Sequence, residues 1–259
     1  MSRKRHTPAD EPFLVVRTSI SDHPAGGTID AHTHDWGQLI YVRTGLVTVK
    51  TSTGSWIAPP TWAVWVPAGA LHSIRFIGHG ALRTAYLRPN WRPDLPAGCT
   101  ALAVSALLRE LVMRATTLGM LDRREPTENA IAELIASEVR DGGPAPFVLP
   151  EPSSPATIAA IRLIHDRPQP GGTAALARAV GVGTSTLERR FQAETGMTLG
   201  RWRQQRMLLQ GMERVAAGAT VEEASVAAGY GSASAFIAAF RKTFGAAPAT
   251  YFSPFDDRP

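Results

Sequence analysis

Cysteine is almost absent. Cys99 is the single one in 259 residues. That excludes an intramolecular disulfide and a cysteine zinc cluster, and it fits a reducing, cytoplasmic setting. Long apolar runs are missing as well. None approaches the roughly 20 residues needed to cross a bilayer, so no membrane partner is expected. The basic Ser2-Arg3-Lys4-Arg5-His6 stretch leads into Thr7 to Glu11 with no apolar segment, and does not read as a secretory leader. Lysine is scarce. Lys4, Lys50 and Lys242 are the lysines among 27 basic residues, and the rest are arginine. Arginine forks suit phosphates and guanine edges. The net charge of +5 favours a polyanionic partner only weakly, because a general bias towards arginine and alanine codons gives the same excess.

What is present suits a globular protein of two domains. The hydrophobic share is 44% and the charged share 19%, enough to build real cores. Residues 142 to 155 hold five prolines and two glycines, a composition that excludes a helix or a central strand and marks a linker. Before it, short β-branched and aromatic runs are separated by glycine and proline. Examples are Gln38 to Val42, Leu46 to Lys50, Ala63 to Val66 and His72 to Phe76. Strands so short and closely spaced predict a sandwich or barrel. Two helical stretches follow, Thr100 to Leu118 and Pro126 to Arg140. After residue 155 the pattern is helical almost throughout. The expected order is a barrel (1–99), a helical connector (100–141), the linker (142–155) and an all-α domain (156–259).

The all-α part repeats itself. Phe191, Gly196 and Trp202 have the spacing of Phe240, Gly245 and Tyr251. In each copy a short alanine-rich helix, Ala174 to Val180 or Glu222 to Ala228, ends at a glycine and a tight turn follows. A second helix then buries an i, i+4 apolar pair, Leu187 with Phe191 or Phe236 with Phe240, and closes at another glycine. Its outer face is left for a DNA major groove. Gly183 and Ser232 stand at the N-cap positions of the two reading helices. Leu199 to Ala217 makes one helix between the units, with Leu199, Trp202, Leu209, Met212 and Ala216 on one face.

These residues resemble the DNA-binding domain of the AraC/XylS family of bacterial regulators. The resemblance rests on Leu-Ala-Arg-Ala-Val-Gly-Val at 176 to 182, Leu-Glu-Arg-Arg-Phe-Gln-Ala-Glu-Thr-Gly at 187 to 196, Ala-Gly-Tyr at 228 to 230 and Phe-Arg-Lys-Thr-Phe-Gly-Ala-Ala-Pro at 240 to 248. It covers Thr173 to Phe252 and implies a regulator that binds double-stranded DNA through two helix-turn-helix units. Carried over by position, the first reading helix offers Ser185, Thr186, Glu188, Arg189 and Gln192. Arg189 suits guanine, and Glu188 can accept from cytosine. The second departs from the pattern. Ala233, Ser234, Ala235, Ile237 and Ala238 occupy its reading positions, and only Ser234 among them can hydrogen-bond to a base edge. Unequal readout is therefore expected, with Ser232, Arg241 and Lys242 on phosphates.

In the first half, Gly27, His32-x-His34, Gln38 and Gly45 precede Pro67-x-Gly69-x-x-His72. This resembles the two motifs of the cupin superfamily, with Gln38 where a glutamate is usual. The resemblance implies a small β-barrel in which His32, His34 and His72 hold Zn²⁺, Ni²⁺ or Fe²⁺, with Gln38 as a weak fourth ligand. His32 and His34, two apart on a strand, share a face. Histidines hydrogen-bonded to one another or to an organic effector fit the same spacing. Trp36, Gln38, Tyr41 and Trp65 are candidates for an effector pocket. In regulators of this build the barrel senses a small molecule and the following helices form a homodimer, although their apolar face fits equally well against their own barrel. The alternative function is a metal-dependent cupin enzyme with an accessory DNA-binding domain, which Gln38 disfavours by removing the carboxylate.

Overall fold

Alternating apolar residues pair into strands through the first half of the chain. The computed structural model describes residues 12–143, 149–166 and 171–251. The basic stretch at 2–6, residues 144–148 of the linker and Phe252 lie outside them. Two compact units divide the chain, Met1–Ser52 with Trp56–Ala145 and Thr53–Ser55 with Pro146–Pro259.

The first unit is antiparallel. Its strands are β1 (Leu14–His23), β2 (Thr28–His32), β3 (Gly37–Thr51), β4 (Gly54–Ala58), β5 (Trp62–Val66), β6 (His72–Leu87), β7 (Thr100–Ala103) and β8 (Met120–Asp122). They run in the order β7-β5-β3-β6-β1-β8, with β2 added to β6 and β4 to β3. The long strands β3 and β6 pair from Gly37 with Leu87 to Thr51 with His72, and the register shifts around Thr44. Bulges bend a ladder, and the two ends of β6 take different neighbours. The Gly80–Leu87 end carries β1 and the His72–Arg75 end carries β2.

Residues 100 to 103 correct the expected helix. They form β7, paired with Trp62–Trp65 of β5. Helix α1 (Ala106–Leu118) starts only after Ser105, whose Oγ accepts the N–H of Leu108 at 2.9 Å. A ladder to a strand some forty residues away is not visible in a local apolar pattern. Helix α2 (Pro126–Asp141) begins with Pro126 in its first turn, as read from the sequence. Both helices turn their apolar faces onto their own sheet. Leu108, Val112, Ala115, Ile131, Ile135 and Val139 share one core with Leu39, Tyr41, Trp65 and Leu87. Each fully buried leucine or valine among them contributes about 1.5–3 kcal/mol relative to an exposed one. Of the two roles open to this connector, packing on its own barrel is the one its core shows.

The second unit is helical: α3 (Pro155–Asp166), α4 (Thr173–Ala179), α5 (Thr184–Thr195), α6 (Leu199–Ala216), α7 (Val221–Ala227), α8 (Ala233–Phe244) and α9 (Pro248–Tyr251). Helices α4–α5 and α7–α8 are the two helix-turn-helix units. Gly181, Gly196, Gly229 and Gly245 all sit at positive φ, where the turns and helix ends require it. The 18 residues of α6 span about 27 Å at 1.5 Å per residue, on the order of one DNA turn.

Candidate functional site

The reading helices divide cleanly into a buried and an outer face. In α5, Leu187 and Phe191 are fully buried, and Phe191 meets Trp202 of α6 edge-on at 6.0 Å. Ser185, Glu188, Arg189 and Gln192 are exposed on the other side, while Thr186 is half-buried. Gly183 precedes α5 without a side-chain cap. In α8, Phe236 and Phe240 are buried, and Phe240 packs edge-on against Tyr251 at 5.3 Å. Ser232, Ser234, Arg241 and Lys242 are exposed. Ser232 also caps α8, its Oγ accepting from Ala235 N at 3.2 Å, so only its hydroxyl proton remains for a phosphate. Between Ser234 and Arg241 the exposed side chains are Ala235 and Ala238, with Ile237 and Ala239 half-buried.

Two features here escaped the sequence reading. Thr220 and Glu223 form a reciprocal capping box at α7, a signal that Thr-x-x-Glu does carry. Glu194, near the end of α5, gathers three donors onto one oxygen: Ser153 N at 2.9 Å, Ser154 N at 3.1 Å and Thr157 Oγ1 at 2.8 Å. Burial alone would raise its pKa. The hydrogen bonds from Ser154, Thr157 and Ser153 outweigh it and hold the carboxyl at about 2.

In the first unit the three histidines do converge. Their ligand nitrogens lie within 4.8 Å of one another. Strand β2 ends at His32, so His34 arrives from the bend beyond it rather than from the strand. Its carbonyl accepts the N–H of Gly69 at 2.9 Å, which is the task of the Pro67-x-Gly69 turn. His72 opens β6 and pairs with His32 across the ladder. Backbone carbonyls orient two of the rings: His32 Nδ1 lies 2.8 Å from Asp30 O and His72 Nδ1 lies 2.9 Å from Ala70 O. Carbonyls can only accept, so both Nδ1 atoms carry a proton.

Gln38 sits among them, 2% exposed beside His72 at 1%. Its Oε1 position is 2.8 Å from His34 Nε2 and 2.8 Å from His72 Nε2, and its Nε2 is 3.1 Å from Tyr86 OH. An amide oxygen facing the His72 Nε2 lone pair would be two acceptors in contact. Keeping that orientation needs a doubly protonated His72, or a cation that the amide oxygen and the imidazoles would share. Burial pushes the His72 imidazole below its usual range, and His32 and His34 act in the same direction. Turning the carboxamide end for end removes the conflict. Its NH₂ then donates one proton to each imidazole, and its carbonyl accepts from Tyr86. The cost is a proton on His34 Nδ1, which is buried without an acceptor, about 1–3 kcal/mol. A buried, uncompensated charge costs several.

Tyr86 was missed because its partnership with Gln38 is a matter of cross-strand register. Two proposed pocket residues move. Tyr41 and Trp65 lie on the opposite face of the sheet, in the core shared with α1 and α2, because strand alternation separates Tyr41 from Gln38. Trp65 packs over Gly37, where a Cβ would stand 2.2 Å from its ring, and it donates to Pro96 O at 2.8 Å. Trp36 stays on the Gln38 side, buried, with the Arg17 guanidinium 4.2 Å and that of Arg88 5.3 Å from its ring centre.

Comparisons with known proteins bear on the family of the chain. A family model described as an AraC-like ligand binding domain matches residues 15–177, and one described as a helix-turn-helix domain matches residues 176–253. The HTH-type transcriptional regulator NimR of Escherichia coli is 29% identical over 229 residues, covering 87% of this chain and 83% of that regulator. Among solved structures, ToxT from Vibrio cholerae aligns at 9% identity over 94% of this chain and 99% of its own, with a TM-score of 0.39. An AraC-type DNA-binding-domain regulator from Chromobacterium violaceum aligns at 20% identity over 40% of this chain and 96% of its own, with a TM-score of 0.37. With a ligand-binding model matched over more than half its length and a double helix-turn-helix unit behind it, the chain belongs to the AraC family of transcription regulators.

Proposed function

We propose that this regulator reads DNA mainly through α5 and holds the phosphate backbone through the end of α8. It takes its signal from a small molecule, or a divalent cation such as Zn²⁺, Ni²⁺ or Fe²⁺, bound in the barrel without turnover. The contrast between the two outer faces carries the DNA part. Helix α5 shows Ser185, Glu188, Arg189 and Gln192 to the groove, whereas α8 shows Ser234 among alanines and then Arg241 and Lys242. Base edges are read by donors and acceptors; phosphates need only charge.

His32, His34 and His72 would hold the cation, and it would supply a fixed charge to orient an oxygen-donor effector. The donor set fits, with one ring nitrogen from each of three histidines in reach of the others. Their spread of up to 4.8 Å exceeds the about 3.4 Å between ligands on a tetrahedral zinc, so the rings must draw in. A regulator of this kind works in the cytoplasm. As a homodimer it would use the outer sides of α1 and α2, where Leu107 is 48% and Leu134 43% exposed.

The test is a footprint of the full-length protein on DNA upstream of its own gene, repeated with variants. Arg189→Ala is expected to cost about 1–3 kcal/mol and to relax preference at one base pair. The reading fails if Ser234→Ala or Ile237→Ala disturbs specificity more than Arg189→Ala does.

A further inference from the structure

The register shift in β3 opens a cleft on the barrel that the histidine cluster does not use. Val42 pairs with Leu82 and Thr44 with Ala81, so Arg43 is the extra residue of a bulge. A bulge re-aims the side chain it carries. On the other flank of β6, Asp22 and His23 of β1 pair with Ala81 and Gly80. The cleft therefore has small residues on its central strand and longer side chains on both sides. It measures about 450 Å³, within the roughly 300–1,000 Å³ of small-molecule sites. Residues directly opposite in an antiparallel pair share a face. Arg83 lies opposite Tyr41, so it stands on the other face of the sheet from Gln38.

We propose that this cleft binds a small organic dianion, a ligand carrying carboxylate or phosphate groups. Among the described residues its lining sets Arg43, Arg83, His23 and His79 against a single acid, Asp22. Arg83 is held in place for the task. Its side chain is 12% exposed, whereas that of Asp22 is 75% exposed. Its Nη1 donates to Leu82 O at 2.8 Å and to Asp22 Oδ1 at 3.2 Å. Among the described residues its hydrogen bonds all leave from that one nitrogen. Nε and Nη2 remain as a fork for a second anion, and such a fork meets carboxylate or phosphate oxygens two at a time. The His23 ring is fixed as well, stacked on Phe76 at 4.0 Å with its Nε2 2.9 Å from Ser21 Oγ. Arg43 and His79 are exposed, so an arriving anion meets them from solvent. Asp22 already places one oxygen on Arg83, which makes it a weak internal competitor. An inorganic ion would leave most of the volume empty, and the ligand therefore carries a carbon skeleton.

Two charges of the cleft give the test opposite signs. Full-length wild type, Arg43→Gln and Asp22→Asn are titrated by calorimetry with succinate and with glycerol phosphate. Chloride holds the ionic strength constant. EDTA strips any cation from the histidines, so the outcome is independent of that site. Both substitutions fall on exposed side chains, where a lost surface ion pair costs the fold little. Wild type binds at least one of the two dianions, and the tighter one names the head group. Arg43→Gln weakens it roughly tenfold, the worth of one charge-assisted hydrogen bond. Asp22→Asn removes the competitor and tightens binding up to roughly fivefold. Binding of neither dianion overturns the proposal, as does an affinity that either variant leaves unchanged. A weaker Asp22→Asn overturns it too, since the carboxylate would then be part of the site. If neither dianion binds and Arg43→Gln loses affinity for duplex DNA of random sequence, the cleft serves a phosphate backbone and the small-ligand reading falls.

Discussion

At Glu194 one carboxylate oxygen receives two backbone amides and a hydroxyl from residues 153 to 157, which fixes the approach to α3. Its folded pKa of about 2 lies below the ordinary 4.5. A depressed carboxylate stabilises the fold above its unfolded pKa, and that contribution is lost as pH falls through the folded value. The contribution is thus complete near pH 5 and gone near pH 2. Allowing for partial solvent screening, it is about 1–2 kcal/mol. Comparing denaturation midpoints of wild type and Glu194→Ala at several pH values is expected to show a gap that closes across that window. A gap that stays constant from pH 6 to pH 2 refutes the assignment. The histidine trio was legible because two of its members lie two residues apart and the third follows a Pro-x-Gly turn. Glu194 and Tyr86 were not, since their partners stand 37 and 48 residues away and belong to other elements.

Among the elements, α6 and α8 approach so closely that Gly211 is required between them. A Cβ there would lie 2.3 Å from the Phe236 ring. Phe236 is fully buried, so it has little room to yield. Gly211→Ala is expected to destabilise the helical unit by about 1–3 kcal/mol. The alanine's better helix propensity returns only about 1 kcal/mol. Chemical denaturation followed by circular dichroism measures the difference, and a neutral or stabilising alanine would show that the ring can move aside. The helices of the repeat were read to within a residue of where they stand: 174–180 against Thr173–Ala179, and 222–228 against Val221–Ala227. Glycine punctuation and a local 3.6-residue period are enough for that. The strand at Thr100–Ala103 was read as helix because its pattern is set by β5, a partner that no local window contains. Alternation along β3 puts Tyr41 on the face opposite Gln38, so that expected pocket residue belongs to the core.

On the scale of the whole molecule, the β1–β6 ladder separates the two units in time. Its nearest pair joins His23 to Gly80, so a loop of about 57 residues must close before the barrel gains that row of hydrogen bonds. Helices α3 to α9 draw instead on contacts between neighbours in the chain. Domains rich in local contacts fold in microseconds to milliseconds, and those built on distant strand pairing in milliseconds to seconds. Refolding of the full chain from denaturant is expected to show two phases. The fast one carries most of the far-ultraviolet helical signal, and the slow one carries the fluorescence of Trp36 and Trp65. A single shared rate would mean that the units fold together. On a ribosome the order of synthesis opposes this order of speed. The barrel emerges first, and the residues after 141 need about 6–24 s to follow at 5–20 residues per second, so the slower-folding sensor has time to close before the reading helices leave the ribosome.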